Sequence, residues 1–317
     1  MNRIEVQFNI DEWFSDHRIH RFAHSAMATI FEILIGGQEY NYAAQAAQAA
    51  FKELDLLQQE LSRYIENSDI SRINQLKKKQ STIIGPDALA CLQACQKIFD
   101  DTAGAFDISA GPLIKLWKEK ENMDEADFDL RIKDESLKMG LEKLEMDPHL
   151  HRVTLLTDNV DLDLGGFGKG YALDKMAGIL ADWSIDVALL HGGRSTALAM
   201  EGPKGREGWP LSITDPQDTG HFLDKRWLRH RALSGSGLQK GAHIIDPSTG
   251  YPVQNRLAAW AECPSAALSD ALSTAFMIME RPAIEHYLAS HRDVFGLIIF
   301  IKNHIQEREI KRWEAII

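Results

Sequence analysis

A glycine-rich segment between a strand-like stretch and a helix-like stretch constrains the fold more than any other feature. Residues 165–170 read Gly-Gly-Phe-Gly-Lys-Gly, with four glycines in six positions. They follow the alternating stretch 160–164 and precede the helical pattern of residues 171–183. A chain that turns abruptly into a helix exposes backbone N–H groups, and the helix dipole there favours an anion. The segment therefore predicts either a tight turn with positive φ angles or a phosphate-binding loop.

Two polar residues favour the functional interpretation of this segment. Asp163 stands at the end of the strand-like stretch, and Lys169 lies among the glycines. Asp163 can accept a hydrogen bond from a ribose or a ring N–H group, and Lys169 can neutralise a phosphate or pair with Asp174. The segment lacks the Gly-Lys-Ser/Thr ending of a P-loop and the G-x-G-x-x-G spacing of dinucleotide-binding folds. A surface salt bridge remains the alternative role of Lys169.

The rest of the chain mixes helices and strands without a regular strand–helix–strand order, which predicts an α+β fold of layered sheets and helices. Apolar residues at helical spacing predict helices at 43–65, 86–102 and 265–280. The charged run 118–129 is typical of an exposed surface. Strand-like patterns cover residues 152–156, 160–164, 187–190, 211–214 and 295–301, with Asp158-Asn159 predicting a hairpin turn between the first two.

Composition limits the class of partner. The formal net charge of -11 argues against nucleic-acid binding, which needs a surplus of Lys and Arg. The apolar runs are too short for a transmembrane span, and the start of the chain shows no signal peptide, so a cytoplasmic protein is expected. The chain has three cysteines, whose spacing suits neither a disulfide framework nor a zinc site, and buried thiols are expected.

Two further segments carry candidate chemistry. Asp270 and Thr274 are four residues apart and share one helix face, where hard oxygen donors suit Mg²⁺. The alternative is that Asp270 caps the helix and Thr274 bonds to its own turn. His243 begins a strand-like segment that ends in a turn at Gly250, and it can take a proton from a hydroxyl. A packed, hydrogen-bonded histidine is the structural alternative.

Taken in order, these segments resemble the FAD:protein FMN transferase family, also called the ApbE family. The similarity runs from about Met27 to Gly296, over nearly the whole chain. The matching stretches are residues 27–29, 62–64, 68–70, 104–113, 160–174, 192–193, 232–235, 243–250 and 269–275. Two departures stand out. The family usually has Asn where this chain has Arg194, and an aromatic residue is common where this chain has Ser236-Gly237-Leu238.

The resemblance implies a T-fold-like α+β architecture with mixed or antiparallel sheets packed against helices. It also implies Mg²⁺-dependent transfer of FMN from FAD to a Ser or Thr hydroxyl of a partner protein, with release of AMP. Carried over by position, the residues lining the FAD site are Met27, Tyr64, Ala105, Phe106, Asp107, Asp163, Lys169 and Ile245. The metal ligands implied are Asp270, Thr274 and the carbonyl of Gly166, with Ser273 nearby. His243, Lys169 and Asp270 are the predicted catalytic residues.

Two other functions remain open. An FAD pyrophosphatase would use the same metal site and give free FMN and AMP, with water replacing the protein hydroxyl. A non-catalytic flavin-binding protein would keep the pocket without turnover, although such a protein has little need for both Asp270 and Thr274. We expect residues 1–20 to form an N-terminal extension and residues 21–317 to form a single domain.

Overall fold

The computed structural model describes residues 6–7, 18–120, 123–241, 243–302 and 307–315. Three of the described helices start with a proline in the first turn, where its missing N–H group costs no hydrogen bond. The α-helices are α1 (Tyr40–Leu61), α2 (Asp69–Asn74), α3 (Pro86–Asp101), α4 (Gly111–Glu119), α5 (Glu125–Ser136), α6 (Gly168–Asp182), α7 (Ala266–Ile278) and α8 (Arg281–Ser290).

The strands form three antiparallel sheets. They are β1 (Val6–Gln7), β2 (His20–Ala26), β3 (Thr29–Ile35), β4 (Ser81–Ile83), β5 (Leu144–Asp147), β6 (Arg152–Leu155), β7 (Ala188–Gly192), β8 (Thr196–Ala199), β9 (Trp209–Asp215), β10 (Asp218–Leu228), β11 (Arg231–Gly237), β12 (Arg256–Cys263), β13 (Phe295–Lys302) and β14 (Glu307–Trp313). The large sheet has the order β14-β13-β12-β11-β8-β7-β3-β2, and the small ones have the orders β1-β9-β10 and β4-β6-β5.

The large sheet separates two apolar layers, as the alternation of side chains along a strand requires. Leu190 of β7 packs toward the helices with residues of α1, α3, α6 and α7. Its neighbour Leu189 points to the opposite face, where it joins Trp209 of β9 and Trp260 of β12. The sheet is thus covered by helices on one side and by the β1-β9-β10 sheet on the other. The predicted α+β fold of antiparallel sheets and helices is confirmed.

Most of the predicted elements are found with small changes in their bounds. The helices predicted at 43–65, 86–102 and 265–280 are α1, α3 and α7, and the strands at 187–190, 211–214 and 295–301 are β7, β9 and β13. The helix predicted at 171–183 begins earlier, at Gly168, so part of the glycine segment is helical. Most of the described residues in the charged run 118–129 are exposed. The three cysteines, Cys91, Cys95 and Cys263, are buried and free.

The predicted hairpin between residues 152–156 and 160–164 is wrong. Strand β6 pairs with β4 and β5, whereas residues 160–164 have no regular secondary structure and pair with none of the described strands. Their backbone groups have other partners. The Leu162 N–H donates to the Asn74 side chain at 2.7 Å, and the Asp163 N–H donates to the Ile108 carbonyl at 2.7 Å. These hydrogen bonds take the place of the bonds to a neighbouring strand, so the alternating pattern does not produce a strand here.

The boundary between an N-terminal extension and a single domain, predicted at residue 20, stays a prediction. Val6–Gln7 pairs with β9, while residues 1–5 and 8–17 lie outside the described residues. No helix within the described part of the chain is both long enough and apolar enough to cross a membrane.

Candidate active site

Asp270 lies at the centre of the candidate site, in the second turn of α7. Its side chain is almost completely buried, and its two oxygens accept hydrogen bonds from three groups. Lys169 Nζ lies 3.0 Å from Oδ2 and 3.3 Å from Oδ1, the Gly170 N–H group is 3.3 Å from Oδ2, and Thr196 Oγ1 is 3.2 Å from Oδ1. A buried carboxylate is costly unless its charge is balanced, and the Lys169 ammonium balances it.

The alternative that Asp270 caps its helix is wrong, as is the predicted pair of Lys169 with Asp174. Ser265 is the N-cap of α7, and its hydroxyl accepts from the Leu268 N–H. Asp174 of α6 accepts from the Ser265 hydroxyl and from the first two backbone N–H groups of α7, at 2.8–2.9 Å. A carboxylate at a helix N-terminus is favoured by the dipole. Asp174 therefore fixes α7 against α6, which leaves Lys169 free to reach Asp270.

A cluster of hydroxyl groups lies next to Asp270. Ser236 of β11 is 2.8 Å from Ser273 Oγ and 3.1 Å from Thr274 Oγ1. Ser273 donates to the Asp270 carbonyl at 2.8 Å, whereas Thr274 reaches the same carbonyl only at 3.5 Å. The expected bond of Thr274 to its own turn is thus weak. Its hydroxyl is held mainly by Ser236.

Gly166 connects this cluster to the predicted flavin site. A Cβ atom at this position would lie 3.2 Å from Thr274 Oγ1 and 3.4 Å from Cε2 of Phe106. The backbone of the glycine segment therefore passes between the α7 hydroxyls and the Phe106 ring, with little room for a side chain. Lys169 Nζ is also 3.3 Å from the Gly165 carbonyl. The structure brings Gly166, Lys169, Asp270, Ser273 and Thr274 together, as predicted.

Arg63 and the Gly165 N–H hold Asp163 next to the glycine segment, while Arg63 and Asn74 hold Asp161. Arg63 forms ion pairs with Asp163 at 2.9 Å and with Asp161 at 2.5 Å. Asn74 donates to the other Asp161 oxygen at 3.0 Å. The second oxygen of Asp163 accepts the Gly165 N–H at 2.8 Å. Asp163 is thus oriented by two fixed partners.

The loop after α3 carries Ala105, Phe106 and Asp107. It begins with Ala103 and Gly104 at positive φ, and the Gly104 N–H returns to the Phe99 carbonyl at 2.8 Å, which ends the helix. Asp107 accepts hydrogen bonds from the backbone and the hydroxyl of Ser109. Phe106 is buried, and Ala105 and Asp107 are half-buried.

Met27 and Tyr64, two of the predicted FAD-site residues, lie in separate loops. Met27 and Ala28 form the β2–β3 turn, both with positive φ, which non-glycine residues rarely adopt. The Met27 N–H donates to the side chain of Gln58 on α1. Tyr64 follows Arg63, and its side chain is 80% exposed. Strained backbone is often found at functional turns, so the Met27 turn fits a binding role.

His243 is exposed, whereas Ile245 is buried. The His243 side chain is exposed, and its Nδ1 lies 2.8 Å from the Gly241 carbonyl. Ile245 is buried in a small apolar cluster with Leu113, Phe128 and other residues of α4 and α5. No hydrogen bond joins His243 to Lys169 or Asp270 within the described ranges. The strand-like pattern of residues 243–246 gives only one isolated bridge, between Ile245 and Pro252.

Comparison with known proteins identifies the family. A model of the ApbE family matches residues 27–298. The chain belongs to the ApbE family. An FAD:protein FMN transferase of Haemophilus influenzae is 27% identical over 248 residues, which are 71% of this chain and 70% of that protein. The FAD:protein FMN transferase of Escherichia coli is 27% identical over 274 residues, 80% of this chain and 76% of that protein.

A solved structure agrees with the fold of this ApbE protein. The flavin transferase ApbE from Vibrio cholerae superimposes with a TM-score of 0.79 at 20% sequence identity, covering 94% of this chain and 97% of that one. The antiparallel α+β architecture is therefore shared with that enzyme.

The two departures from the family pattern occupy different environments. Arg194 is exposed in the turn between β7 and β8. Leu238 is partly buried against the main core, in a single 3-10 turn after β11. Ser236, which belongs to the second departure, contacts both Ser273 and Thr274. In this ApbE protein, a hydroxyl thus supports the predicted metal ligand from the sheet side.

Local sequence does not indicate how Thr196 or Ser236 contributes to this site. Both contacts depend on the register of the large sheet, in which β11 pairs with β8 on one side and with β12 on the other. Ser234 lies directly opposite Thr196, and its buried hydroxyl has no hydrogen-bond partner among the residues that the structure describes. Arg63 lies in a stretch that resembles the family, but nothing in that stretch predicts its pair with Asp161.

The oxygen donors around Asp270 fit a hard divalent cation. The described residues contain no group of three or more His, Cys, Asp or Glu side chains placed to hold a metal ion. Asp270 supplies a single carboxylate, and the Thr274 hydroxyl, one turn further along α7, lies close to the Gly166 backbone. Such a set suits Mg²⁺, which binds through one or two carboxylates and takes its other ligands from water and phosphate. The ammonium of Lys169 already occupies a cation position beside Asp270.

Asp107→Asn is expected to raise thermal stability near neutral pH. Burial raises the pKa of Asp107 above its ordinary value of 3.8, although hydrogen bonds from Ser109 lower it. The folded chain therefore loses stability as pH rises through that raised pKa, and the loss is absent below the ordinary value. Asn keeps the acceptor oxygen without the charge. Melting curves between about pH 4 and about pH 8 should show a gain at high pH that vanishes at low pH.

The exposed change Asp182→Asn, at the end of α6, is the control and should alter the melting temperature little at any pH. An Asp107→Asn variant that is less stable than the wild type at neutral pH would contradict the expected cost of the buried charge.

Proposed function

We propose that this ApbE protein transfers the FMN half of FAD to a Ser or Thr hydroxyl of a partner protein and releases AMP. The observation that supports this most strongly is the close approach of the glycine segment to two predicted site residues. A Cβ atom placed on Gly166 would lie 3.2 Å from the Thr274 hydroxyl and 3.4 Å from the Phe106 ring, so the segment passes close to both. A flavin dinucleotide has a ring, a pyrophosphate and a charge to neutralise. In the proposed complex the Phe106 ring packs on the flavin ring, the glycine segment binds the pyrophosphate, and Thr274 helps to hold the cation that offsets the charge.

The proposed reaction is a displacement at phosphorus. The acceptor hydroxyl oxygen forms a bond to the FMN phosphorus, and the bond from that phosphorus to the bridging oxygen breaks. The bridging oxygen leaves with AMP, and the hydroxyl proton passes to a base. Positioning and charge stabilisation supply most of the catalysis in such transfers.

This chain's own residues would offset the negative charge of the pyrophosphate. The start of α6 carries backbone N–H groups at the positive end of the helix dipole, and Lys169 lies in the first turn. Asp270, Thr274 and the Gly166 carbonyl, with Ser273 nearby, would hold Mg²⁺. When bound, this ion lowers the cost of charge on the phosphorus oxygens.

His243 is the proposed base. The Gly241 carbonyl can only accept a hydrogen bond, so Nδ1 carries the ring proton of a neutral His243. Nε2 then keeps its lone pair, and the side chain is exposed where an acceptor segment can reach it. This is the tautomer that a general base needs.

His243→Ala should lower FMN transfer by about 10²- to 10⁴-fold, the usual contribution of a general base. The measurement is the initial rate of AMP release with an acceptor peptide present, from about pH 5 to pH 9, because loss of the base should also flatten the profile. His149→Ala, in the exposed turn between β5 and β6, is the matched control and should transfer at the wild-type rate. Undiminished transfer by His243→Ala would remove His243 as the base.

The experiment that tests the function itself incubates the purified chain with FAD and Mg²⁺, with and without a peptide containing Thr. AMP release is followed together with the mass of the peptide. AMP with one FMN added to the peptide is the expected result. AMP with free FMN alone would make the protein an FAD pyrophosphatase, and no AMP in either sample would make it a flavin-binding protein without turnover.

A further inference from the structure

Lys169 contacts both oxygens of the carboxylate that is proposed to hold a divalent cation. Its ammonium lies 3.0 Å and 3.3 Å from the two carboxylate oxygens and so contacts both of them. The other hydrogen bonds to this carboxylate come from Gly170 and Thr196, which are neutral donors. Within the described structure, Lys169 is therefore the charged partner that balances the buried Asp270.

A divalent cation at Asp270 would face this ammonium across a single carboxylate. Two positive centres that share one negative charge in a buried site repel each other strongly, because the low local dielectric weakens screening. Lys169 has a route away from Asp270. Its side chain is 22% exposed, and its other hydrogen bond is to the Gly165 carbonyl at 3.3 Å. That direction leads along the glycine segment, where the proposed function places the pyrophosphate.

We propose that Lys169 is an internal counter-ion that competes with the divalent cation for Asp270 and is released to the pyrophosphate when the cation binds. This inference rests on the proposed function for the identity of the phosphate ligand. Its consequence is a coupling between two sites. The pyrophosphate draws Lys169 away from Asp270 and thereby improves cation binding, and the cation improves pyrophosphate binding by the same factor.

The helix that carries Lys169 provides a matched control. Lys175 is also on α6 and forms an ion pair of 2.8 Å with Asp87, close in length to the pair of Lys169 with Asp270. It contacts neither Asp270 nor the glycine segment. Lys175→Met thus removes a paired lysine from the same helix without changing the charge at the candidate metal site.

The test measures Mn²⁺ binding by electron paramagnetic resonance of the free ion, without FAD and without turnover. Lys169→Met should bind Mn²⁺ about tenfold more tightly than the wild type, because the competing charge is gone. Lys169→Arg, which keeps the charge, and Lys175→Met should bind it as the wild type does. Lys169→Gln should follow Lys169→Met, so a Met variant that fails to fold does not end the test.

The second measurement gives the coupling. Saturating FAD should tighten Mn²⁺ binding to the wild type by a factor within about 5- to 150-fold, the usual range for linked sites. The factor should be smaller in Lys169→Met, since FAD has no ammonium left to remove. Equal or weaker Mn²⁺ binding by both Lys169→Met and Lys169→Gln without FAD would overturn the proposal, as would a wild type that binds no Mn²⁺.

These outcomes are separate from those of the transfer assay. A chain that transfers FMN but binds Mn²⁺ equally with and without Lys169 loses the counter-ion role and keeps the proposed function. A chain that shows the expected Mn²⁺ affinities but releases no AMP keeps the competition at Asp270 and loses the transferase function.

Discussion

Asp270→Asn is expected to lower FMN transfer by about 10³-fold, which corresponds to about 4 kcal/mol of transition-state stabilisation. The substitution keeps the size of the side chain and removes the only carboxylate in hydrogen-bond contact with Lys169 in the described structure. It also removes the one charged oxygen donor of the proposed metal site. Initial rates of AMP release at saturating FAD and Mg²⁺ measure the loss, and Mn²⁺ titration should show weaker binding in parallel.

The matched control is Asp87→Asn, which removes a carboxylate outside the candidate site. Asp87 pairs with Lys175, which is on the same helix as Lys169. This variant should retain the wild-type rate. Melting temperatures of both variants separate lost catalysis from lost folding. Transfer by Asp270→Asn within about threefold of the wild type would exclude Asp270 from the proposed catalytic role.

Gly170→Ala is expected to destabilise the fold by about 3 kcal/mol and to lower the melting temperature by about 5 °C or more. A Cβ atom at Gly170 would lie 2.1 Å from the Ala266 carbonyl oxygen and 2.7 Å from the Ala267 Cα. Both contacts are with backbone, so α6 and α7 must separate. The hydrogen bond from the Gly170 N–H to Asp270 would be strained by the same movement.

Gly178→Ala on the same helix is the control for this substitution. Its Cβ atom would meet no atom within 4 Å apart from its own helix backbone, and the position is exposed. Replacing glycine within a helix then stabilises the chain by about 0.5–1 kcal/mol. If both alanine variants melted at or above the wild-type temperature, close packing of α6 on α7 at Gly170 would be contradicted.

The sequence is informative about this fold wherever the pattern is local. The apolar spacing of α1, α3 and α7 places each helix within a few residues of its observed bounds, because an amphipathic stripe is a property of the segment itself. Residues 160–164 show the limit of that argument. Their alternation matches a strand, but Asn74 and Ile108 take the backbone hydrogen bonds that a partner strand would have made.

In the candidate site, too, some features could be predicted from the sequence and others depend on long-range contacts. The likeness to a known family places Gly166, Lys169, Asp270 and Thr274 in one site, and the structure brings them together. The partner of Lys169 depends on long-range contacts, since Asp174 is five residues away along α6 but accepts the first two backbone N–H groups of α7. Contacts of this kind depend on how two helices cross, which no local pattern contains.

The three buried cysteines make thiol chemistry a measure of opening in this protein. Burial raises the pKa of each thiol, so the reactive thiolate is scarce in the folded chain. Cys91 and Cys95 lie in α3, whereas Cys263 ends β12 beside the start of α7. A maleimide reagent therefore reports on two places at once. Modification of Cys263 records exposure of the junction between β12 and α7, and modification of Cys91 or Cys95 records opening of the helical layer.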